Sequence, residues 1–286
     1  MKKILVVVPV YNRIDDTLNF LGMMRKQTYK NFNVIICDDN SIDGTYEKIE
    51  KNFPEVSLEK GNGDLWWTGG TNKALKTGIN KFKDYDFILT INNDVKIKED
   101  FLEKMVDASE IHPNALICAT SITEGIDPKI LFGGVRKINW YTAKYLNWFN
   151  KKESYKEKYN ERFRESAYLI GRGMLVPRMA FEEVGYFNSK LPQYLADTDY
   201  SLKAKKKNYN LLVDMHNPVF TTLNEDEDGY KESLVSKFKN KRSPYHWKSR
   251  FTFANENCPN NAKVSYILFD VLRLAYSHFK NSSLKR

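Results

Sequence analysis

Cysteine is scarce in this chain: Cys37, Cys118 and Cys258 are the only three among 286 residues. So few, and so scattered, they supply neither a disulfide framework nor a zinc cluster, and a reducing compartment suits them. Cys37 and Cys118 stand inside apolar runs and read as buried thiols. Long hydrophobic runs are missing too, since no stretch approaches the length of a membrane-crossing helix. The opening MKKILVVVPVYNR places two lysines before an apolar run. That run is shorter than a secretory core, and Pro9, Asn12 and Arg13 follow where a small-residue cleavage site would stand. The expected location is the cytoplasm. No internal repeat is visible.

An excess of either charge is absent from most of the chain. Residues 1–228 carry 33 Lys+Arg and 33 Asp+Glu, whereas residues 229–286 carry 12 against 3, so the tail holds all of the net +9. A basic tail on a neutral body implies an anionic partner: membrane, nucleic acid or an acidic substrate.

What is present is alternation. ILVVVPV (4–10), FNVIIC (32–37), FILTI (87–91) and ALICAT (115–120) are apolar, β-branched runs. Helical patterns lie between them at 15–27, 44–53, 71–82 and 99–109. Strands alternating with helices predict a mostly parallel sheet covered on both faces. Ligands of such α/β sheets sit at the carboxyl ends of the strands. Residues 125 to about 165 have no clear pattern, AYLIGRGMLVP (167–177) reads as strand, and DTDYSLKAKKKNY (197–209) reads as a helix. NEDEDG (224–229) is a polar break, which divides the chain into a body, 1–228, and a basic extension, 229–286. In that extension Val264, Ile267, Leu268, Val271, Leu272, Ala275 and Phe279 share one helical face. Such a face packs on the body or lies in a membrane interface.

Acidic residues close several of these segments: Asp38 and Asp39, Asp94, and Asp197 with Asp199. Taken alone, Asp38-Asp39-Asn40-Ser41 is a turn sequence, and Asp197 or Asp199 is a helix N-cap. Brought together at one sheet edge, the same carboxylates suit a divalent cation and a diphosphate, with one left to take a proton.

VVPVYNR (7–13), CDDNSIDGT (37–45), INNDV (91–95), LIGRGMLVPRMAFEEVGYFN (169–188) and YLADTDYSLKAKKKNY (194–209) resemble, in order and spacing, the motifs of family 2 glycosyltransferases. The likeness spans about residues 4 to 210. It implies the GT-A fold, a Rossmann-like α/β architecture, and inverting transfer from a nucleotide sugar with Mg²⁺ or Mn²⁺. Asp39, with Asp38 beside it, would then accept from the N3–H of uracil or thymine, implying a UDP- or dTDP-sugar. Pro9, Tyr11 and Asn12 would line the same pocket. In INND, Asn92 replaces the first aspartate of the family's metal motif, and Asp94 remains as the metal ligand. Asn92 and Asn93 read equally as a polar turn or as donor-sugar contacts. Asp197 matches the catalytic base, although Ala196 replaces the family's glutamate. Asp199 would orient neighbours or cap the helix. Many relatives carry a metal-binding histidine where this chain has Thr221 and Thr222. His216, a few residues earlier, is a candidate ligand or a solvated loop residue.

The resemblance also covers GNGDLWWTGGTNKAL (61–75), a glycine-rich donor loop ending in Asn72. Gly69 and Gly70 would let the backbone approach the donor, and Asp64 would bond a sugar hydroxyl. Trp66 and Trp67 read equally as core or as sugar-stacking residues. GRGM (171–174) would approach the acceptor, and Arg172 would meet a phosphate. The motif set is similar to bacterial surface-polysaccharide transferases, including rhamnosyltransferases. The implied acceptor is therefore a glycan or lipid-linked saccharide at an anionic membrane surface, not a nucleic acid. A nucleotidyltransferase would need a glycine-rich loop after the first strand, which VPVYNRIDDT lacks. A non-catalytic sugar-nucleotide binder on a degenerate scaffold is the alternative raised by Asn92, Ala196 and Thr221.

Overall fold

The computed structural model describes residues 1–150, 153–156, 160–221 and 233–283. In chain order these form β1 (Ile4–Val10), α1 (Ile14–Arg25), β2 (Phe32–Asp38), α2 (Thr45–Asn52), β3 (Ser57–Lys60), α3 (Trp66–Lys81), β4 (Phe87–Thr90) and α4 (Phe101–Ile111). There follow β5 (Ala115–Ile122), β6 (Ile130–Phe132), β7 (Val135–Asn139), β8 (Lys144–Asn147), β9 (Phe163–Glu165), β10 (Met174–Pro177) and α5 (Arg178–Val184). The remainder is α6 (Ala196–Lys206), β11 (Asn210–Phe220), α7 (Leu234–Lys239), α8 (Trp247–Asn257) and α9 (Lys263–Ser283).

The main sheet runs β3-β2-β1-β4-β10-β5-β11-β9, with β6 added on β5. Pairings from β3 to β4 are parallel, as is β5 with β11, whereas β10 is antiparallel to both β4 and β5. Alternate side chains of a strand leave opposite faces. Leu5, Val7, Ile35 and Cys37 accordingly join Ala74 and Leu75 of α3 in one core. Ile4, Val6, Val8, Val34 and Ile36 join Phe20, Leu21 and Met24 of α1 in the other. The fold is the mostly parallel sheet flanked by helices that the strand–helix alternation predicts. The patternless 125–165 region contributes β6, the β7–β8 hairpin and β9.

Two readings of local structure change. The helix expected to start at residue 71 starts at Trp66, because Asp39 takes backbone N–H groups at its first turn. In the extension, the apolar face assigned to the last helix is largely exposed: Val264 is 82%, Leu268 56% and Leu272 54% accessible. The helix meets the body through Tyr266, Asp270 and Leu274 instead. Polar anchors select that face. Tyr266 and Tyr145 share a hydroxyl hydrogen bond of 2.6 Å, and Asp270 accepts from Arg250, including Nη2 at 2.9 Å. Phe253, Ala254, Cys258 and Ala262 are buried in the same core as β5 and β10, so α8 and the start of α9 are built into the body. Residues 224–229 lie outside the described residues.

Candidate active site

The carboxyl ends of β1, β2 and β4 lie along one edge of the sheet. Because β10 is antiparallel, with Met174 opposite both Thr90 and Cys118, its leading residues Gly171-Arg172-Gly173 reach the same edge. Topology thus gathers the end of β1, the aspartates after β2, the INND segment and the GRGM segment.

Asp38 is fully buried, and its Oδ1 accepts the Ser41 N–H at 2.8 Å. Burial pushes its carboxyl up, against the pull of the Ser41 bonds. Oδ1 fixes the turn, while Oδ2 is buried without a hydrogen-bond partner among the described residues. Asp39 accepts three backbone N–H groups: Gly63 at 2.8 Å, Leu65 at 2.9 Å and Trp66 at 3.1 Å. An ionised carboxylate has about four acceptor positions, so roughly one is left for a ligand N–H. Asp39 therefore secures the start of α3, where the helix dipole favours negative charge.

That helix start is a junction. The Trp67 N–H donates to Gln193 Oε1 at 3.1 Å, and its indole N–H donates to Asn92 Oδ1 at 3.0 Å. The Trp67 ring stands edge-on to Phe187 at 5.3 Å and lies against Gly171, where an added Cβ would come within 2.4 Å of Cζ2. Trp67 is thus a partly buried brace linking INND to GRGM. Trp66 has φ 59° and is half-buried. Its indole N–H meets Asp64 Oδ1 at 2.6 Å, which with Lys241 holds the Asp64 carboxyl below the usual carboxylate range.

Beyond β1, Asn12 and Arg13 both adopt positive φ, 56° and 63°. This bend lets the Asn12 N–H reach Ser41 Oγ at 2.7 Å, and its Oδ1 accept from Ile42 at 3.1 Å. It also sends Arg13 to Asp94 Oδ2 at 2.9 Å. Asp94 Oδ1 is buried without a hydrogen-bond partner among the described residues. An oxygen so placed, beside one balanced by a displaceable, half-exposed arginine, fits a cation that takes one or two protein carboxylates and fills its shell with water and phosphate. Among the described residues no group of three or more His, Cys, Asp and Glu side chains is arranged for a metal. Pro9 lies at the end of β1, and the Tyr11 ring just beyond it is exposed.

Asp197 opens α6 after Leu195, whose φ is 71°. Its Oδ2 accepts the Gly171 N–H at 2.9 Å and its Oδ1 the Thr198 N–H at 2.8 Å. Burial pushes its carboxyl up; the two N–H bonds, and more weakly the nearby Arg172 charge, oppose this. A carboxylate raised toward neutrality is a better match for taking a proton from a hydroxyl. Asn92, Trp67, Gly171 and Asp197 thus form one continuous chain of contacts across the edge.

Several expected site residues also make structural contacts. Both ends of the Asn72 amide are spent on the Phe187 backbone, at 2.8 and 3.0 Å, tying α3 to the segment before α6. Gly70 is needed by Pro9 of β1, whose Cβ lies 3.1 Å from where its own would be, and Gly69 by Leu65. Their smallness serves helix–strand packing and the first helical turn. Asn93 turns inward and donates to Thr17 Oγ1 at 2.8 Å. Asp199 is fully buried between Asn257 Nδ2, at 2.7 Å, and Lys203 Nζ, at 2.8 Å. It joins α6 to α8. His216 lies on β11, with its backbone N–H on Asp214 Oδ1 at 2.9 Å, and Thr221 is buried with its N–H on the Ile122 carbonyl. Thr222 lies outside the described residues.

Lys241 and Arg242 reach this edge from a distant part of the chain. Between α7 and α8, Lys241 Nζ meets Asp64 at 3.1 Å, and the Arg242 guanidinium lies 5.2 Å from the Tyr11 ring centre and 5.1 Å from that of Trp66. Nothing local in the sequence couples them to residues 11 and 64–66; the contact is wholly tertiary.

The mostly parallel sheet with its one inserted antiparallel strand, flanked by helices, has the GT-A glycosyltransferase fold. Residues 5–185 match the model of glycosyl transferase family 2, and the chain belongs to that family. It is 23% identical over 216 residues to the N-acetylglucosaminyl-diphospho-decaprenol L-rhamnosyltransferase of Mycobacterium tuberculosis H37Rv, covering 68% of this chain and 67% of that one. It is 31% identical over 108 residues to glycosyltransferase GlyA of Streptococcus pneumoniae, covering 36% of this chain and only 14% of that much longer protein. Among solved structures, GalNAc-T7 with UDP, GalNAc and Mn²⁺ superposes with a TM-score of 0.60 at 14% identity, over 77% of this chain and 43% of that one. Staphylococcus aureus TarS 1-349 with UDP gives 0.53 at 18% identity, over 88% and 70%. These two likenesses carry the fold.

Proposed function

We propose that this protein transfers a sugar, with inversion, from a UDP- or dTDP-sugar to a hydroxyl of a glycan or lipid-linked saccharide in bacterial surface polysaccharide or cell-wall synthesis. The observation that carries the reading is the placement of Asp197. Its Oδ2 is held by the Gly171 N–H, and the contact chain through Trp67 and Asn92 leads to the segment bearing Asp94. The relatives and superposed structures support the donor and acceptor classes: UDP is bound in two of them, and one relative is a rhamnosyltransferase acting on a lipid diphosphate.

In this mechanism the remaining acceptor position of Asp39 takes the N3–H of the base, and Tyr11 and Pro9 line its pocket. Asp94 would hold the divalent cation, which supplies charge neutralisation for the departing diphosphate. Arg13 and Arg242 add positive charge on the same side. Asp197 accepts the proton of the acceptor hydroxyl as its oxygen bonds to the anomeric carbon. The bond from that carbon to the diphosphate oxygen breaks on the opposite face, and the nucleoside diphosphate leaves with the electron pair. Arg172 favours the ionised form of Asp197 and faces an acceptor phosphate.

A screen of UDP- and dTDP-sugars with Mg²⁺ or Mn²⁺, followed by NMR of the product anomer, tests the reading. Release of nucleoside diphosphate with inverted linkage is the expected result. Retention of configuration would overturn the role of Asp197. Saturable donor binding with no turnover on any lipid-linked acceptor would favour the alternative, a non-catalytic sugar-nucleotide binder, which Asn92 and Ala196 motivate.

A further inference from the structure

The terminal helices α8 and α9 form a hairpin with two unlike sides. One side is core: Phe253 and Tyr266 flank Trp140, with ring centres 6.2 and 5.4 Å from it. The other side is apolar and bare. On α9, Val264, Leu268, Val271, Leu272 and Tyr276 recur at helical spacing and are 45–82% accessible. On α8, Trp247 is half exposed. Isolated apolar residues on a surface need no explanation, but a stripe three turns long does. Folding does not use it, because Tyr266, Asp270 and Leu274 on the opposite side make the attachment to the body.

Charge decides what would cover this stripe. The only two acids of α8 and α9 are Glu256 and Asp270. Glu256 is paired with Lys203 at 3.2 Å, and Asp270, 4% accessible, with Arg250 and Arg273. No acid of the hairpin is left unpaired. Lys248 and Lys263 lie on the same two helices outside these pairs, and residues 229–286 carry nine net positive charges. A second copy of this chain would present the same cations to these, and like charges oppose close pairing. An anionic surface satisfies both the charge and the apolar stripe. Trp and Tyr near its ends match the preference of those rings for the headgroup layer. Among the described residues no helix is long and apolar enough to cross a membrane, so the contact is one that lies in the interface.

We propose that the exposed face of α9, with the cations of α8 and α9 around it, docks on an anionic lipid bilayer. The apolar side chains enter the headgroup boundary, and Lys248 and Lys263 meet lipid phosphates. The inference does not depend on the donor, the acceptor or the role of Asp197.

The test is sedimentation of the full chain with vesicles of phosphatidylcholine alone or mixed with phosphatidylglycerol, at low and high salt. Binding to the anionic vesicles that weakens with salt is expected, and little with the neutral ones. Leu268→Ser with Leu272→Ser should weaken binding at least about tenfold, since burying a leucine is worth roughly 1.5–3 kcal/mol. The thermal midpoint should hold, because both side chains are exposed. Lys248→Gln with Lys263→Gln, which leaves the stripe intact, should lower the binding and flatten its salt dependence. Equal binding to neutral and anionic vesicles overturns the proposal, as does anionic binding unaffected by the leucine changes. Absence of vesicle binding, with a concentration-dependent dimer that the leucine changes dissolve, would assign the face to self-association and overturn it too.

Discussion

The backbone N–H of Gly171 donates to Oδ2 of Asp197 at 2.9 Å, joining the loop before β10 to the first turn of α6. The bond fixes one carboxylate oxygen, while burial raises the group's affinity for a proton. Asp197→Asn is expected to keep donor affinity and to lower kcat by about 10²–10⁴, the usual worth of general base catalysis. Calorimetric titration with UDP or dTDP and steady-state kinetics give the two readouts. Near-wild-type turnover would remove Asp197 from the mechanism.

The raised carboxyl sets a pH dependence. The group acts as base only when deprotonated. With its affinity for protons increased, it regains a proton at a higher pH, on acidification, than an exposed carboxylate would. The acid limb of the kcat profile should therefore lie above the ordinary carboxylate range, and Arg172→Gln should move it further up, because the Arg172 charge now opposes protonation. A profile flat down to the ordinary range, or a limb shifted downward by that change, would contradict the environment described.

Gly171 has a second constraint, the Trp67 ring. A methyl group there would stand 2.4 Å from Cζ2, so the ring or the loop must move. Overpacking of this kind costs roughly 1–3 kcal/mol. Gly171→Ala is expected to lower the thermal midpoint and to reduce turnover by more than the stability loss explains, since displacing Trp67 also releases Asn92. Trp67→Phe on that background should restore the midpoint but not full turnover, as the indole N–H to Asn92 is gone.

Strand alternation, helix polarity and the aspartates at strand ends made the sheet and its active edge legible in the sequence. Side-chain assignments within the motifs were less legible, for one recurrent reason. Residues of the right type in the right motif are also the residues that build tight local structure. Asn72 clamps Phe187, Gly70 admits Pro9, Asn93 bonds Thr17 and Asp38 holds the Ser41 turn. A motif records that a position is constrained, and the three-dimensional contacts decide by what. Arg242 illustrates the converse, since no local pattern marks a residue that reaches Tyr11 from the far end of the chain.

Arg13 holds the Asp94 carboxylate at 2.9 Å and competes with any cation for it. Asp94→Ala is expected to abolish the metal-dependent part of nucleoside diphosphate binding while leaving nucleoside binding unchanged. Arg13→Ala should tighten the binding of Mn²⁺ alone, measured by electron paramagnetic resonance. Equal diphosphate affinity with and without metal, in wild type and variant, would exclude Asp94 as a ligand.

The last expectation concerns the link between Asp199 and Asn257. Asp199 is fully buried, and Asn257 Nδ2 donates to it at 2.7 Å from α8. The same helix places Phe253 and Ala254 in the principal core, and α9 adds Tyr266. A basic extension that were merely appended could be cut away without loss. Here its removal would open the core at Trp140 and leave the carboxylate with Lys203 as its remaining partner. Asn257→Ala is expected to destabilise the protein by about 1.5–3 kcal/mol, the usual worth of a hydrogen bond to a charged group. Truncation after residue 246 should cost far more and yield a chain that aggregates or is proteolysed within the body. Denaturant titration of Asn257→Ala and limited proteolysis of the truncated form supply the measurements. A truncated protein with the wild-type midpoint would show that α8 and α9 lie outside the cooperative unit, and would return the extension to the role of a detachable tail.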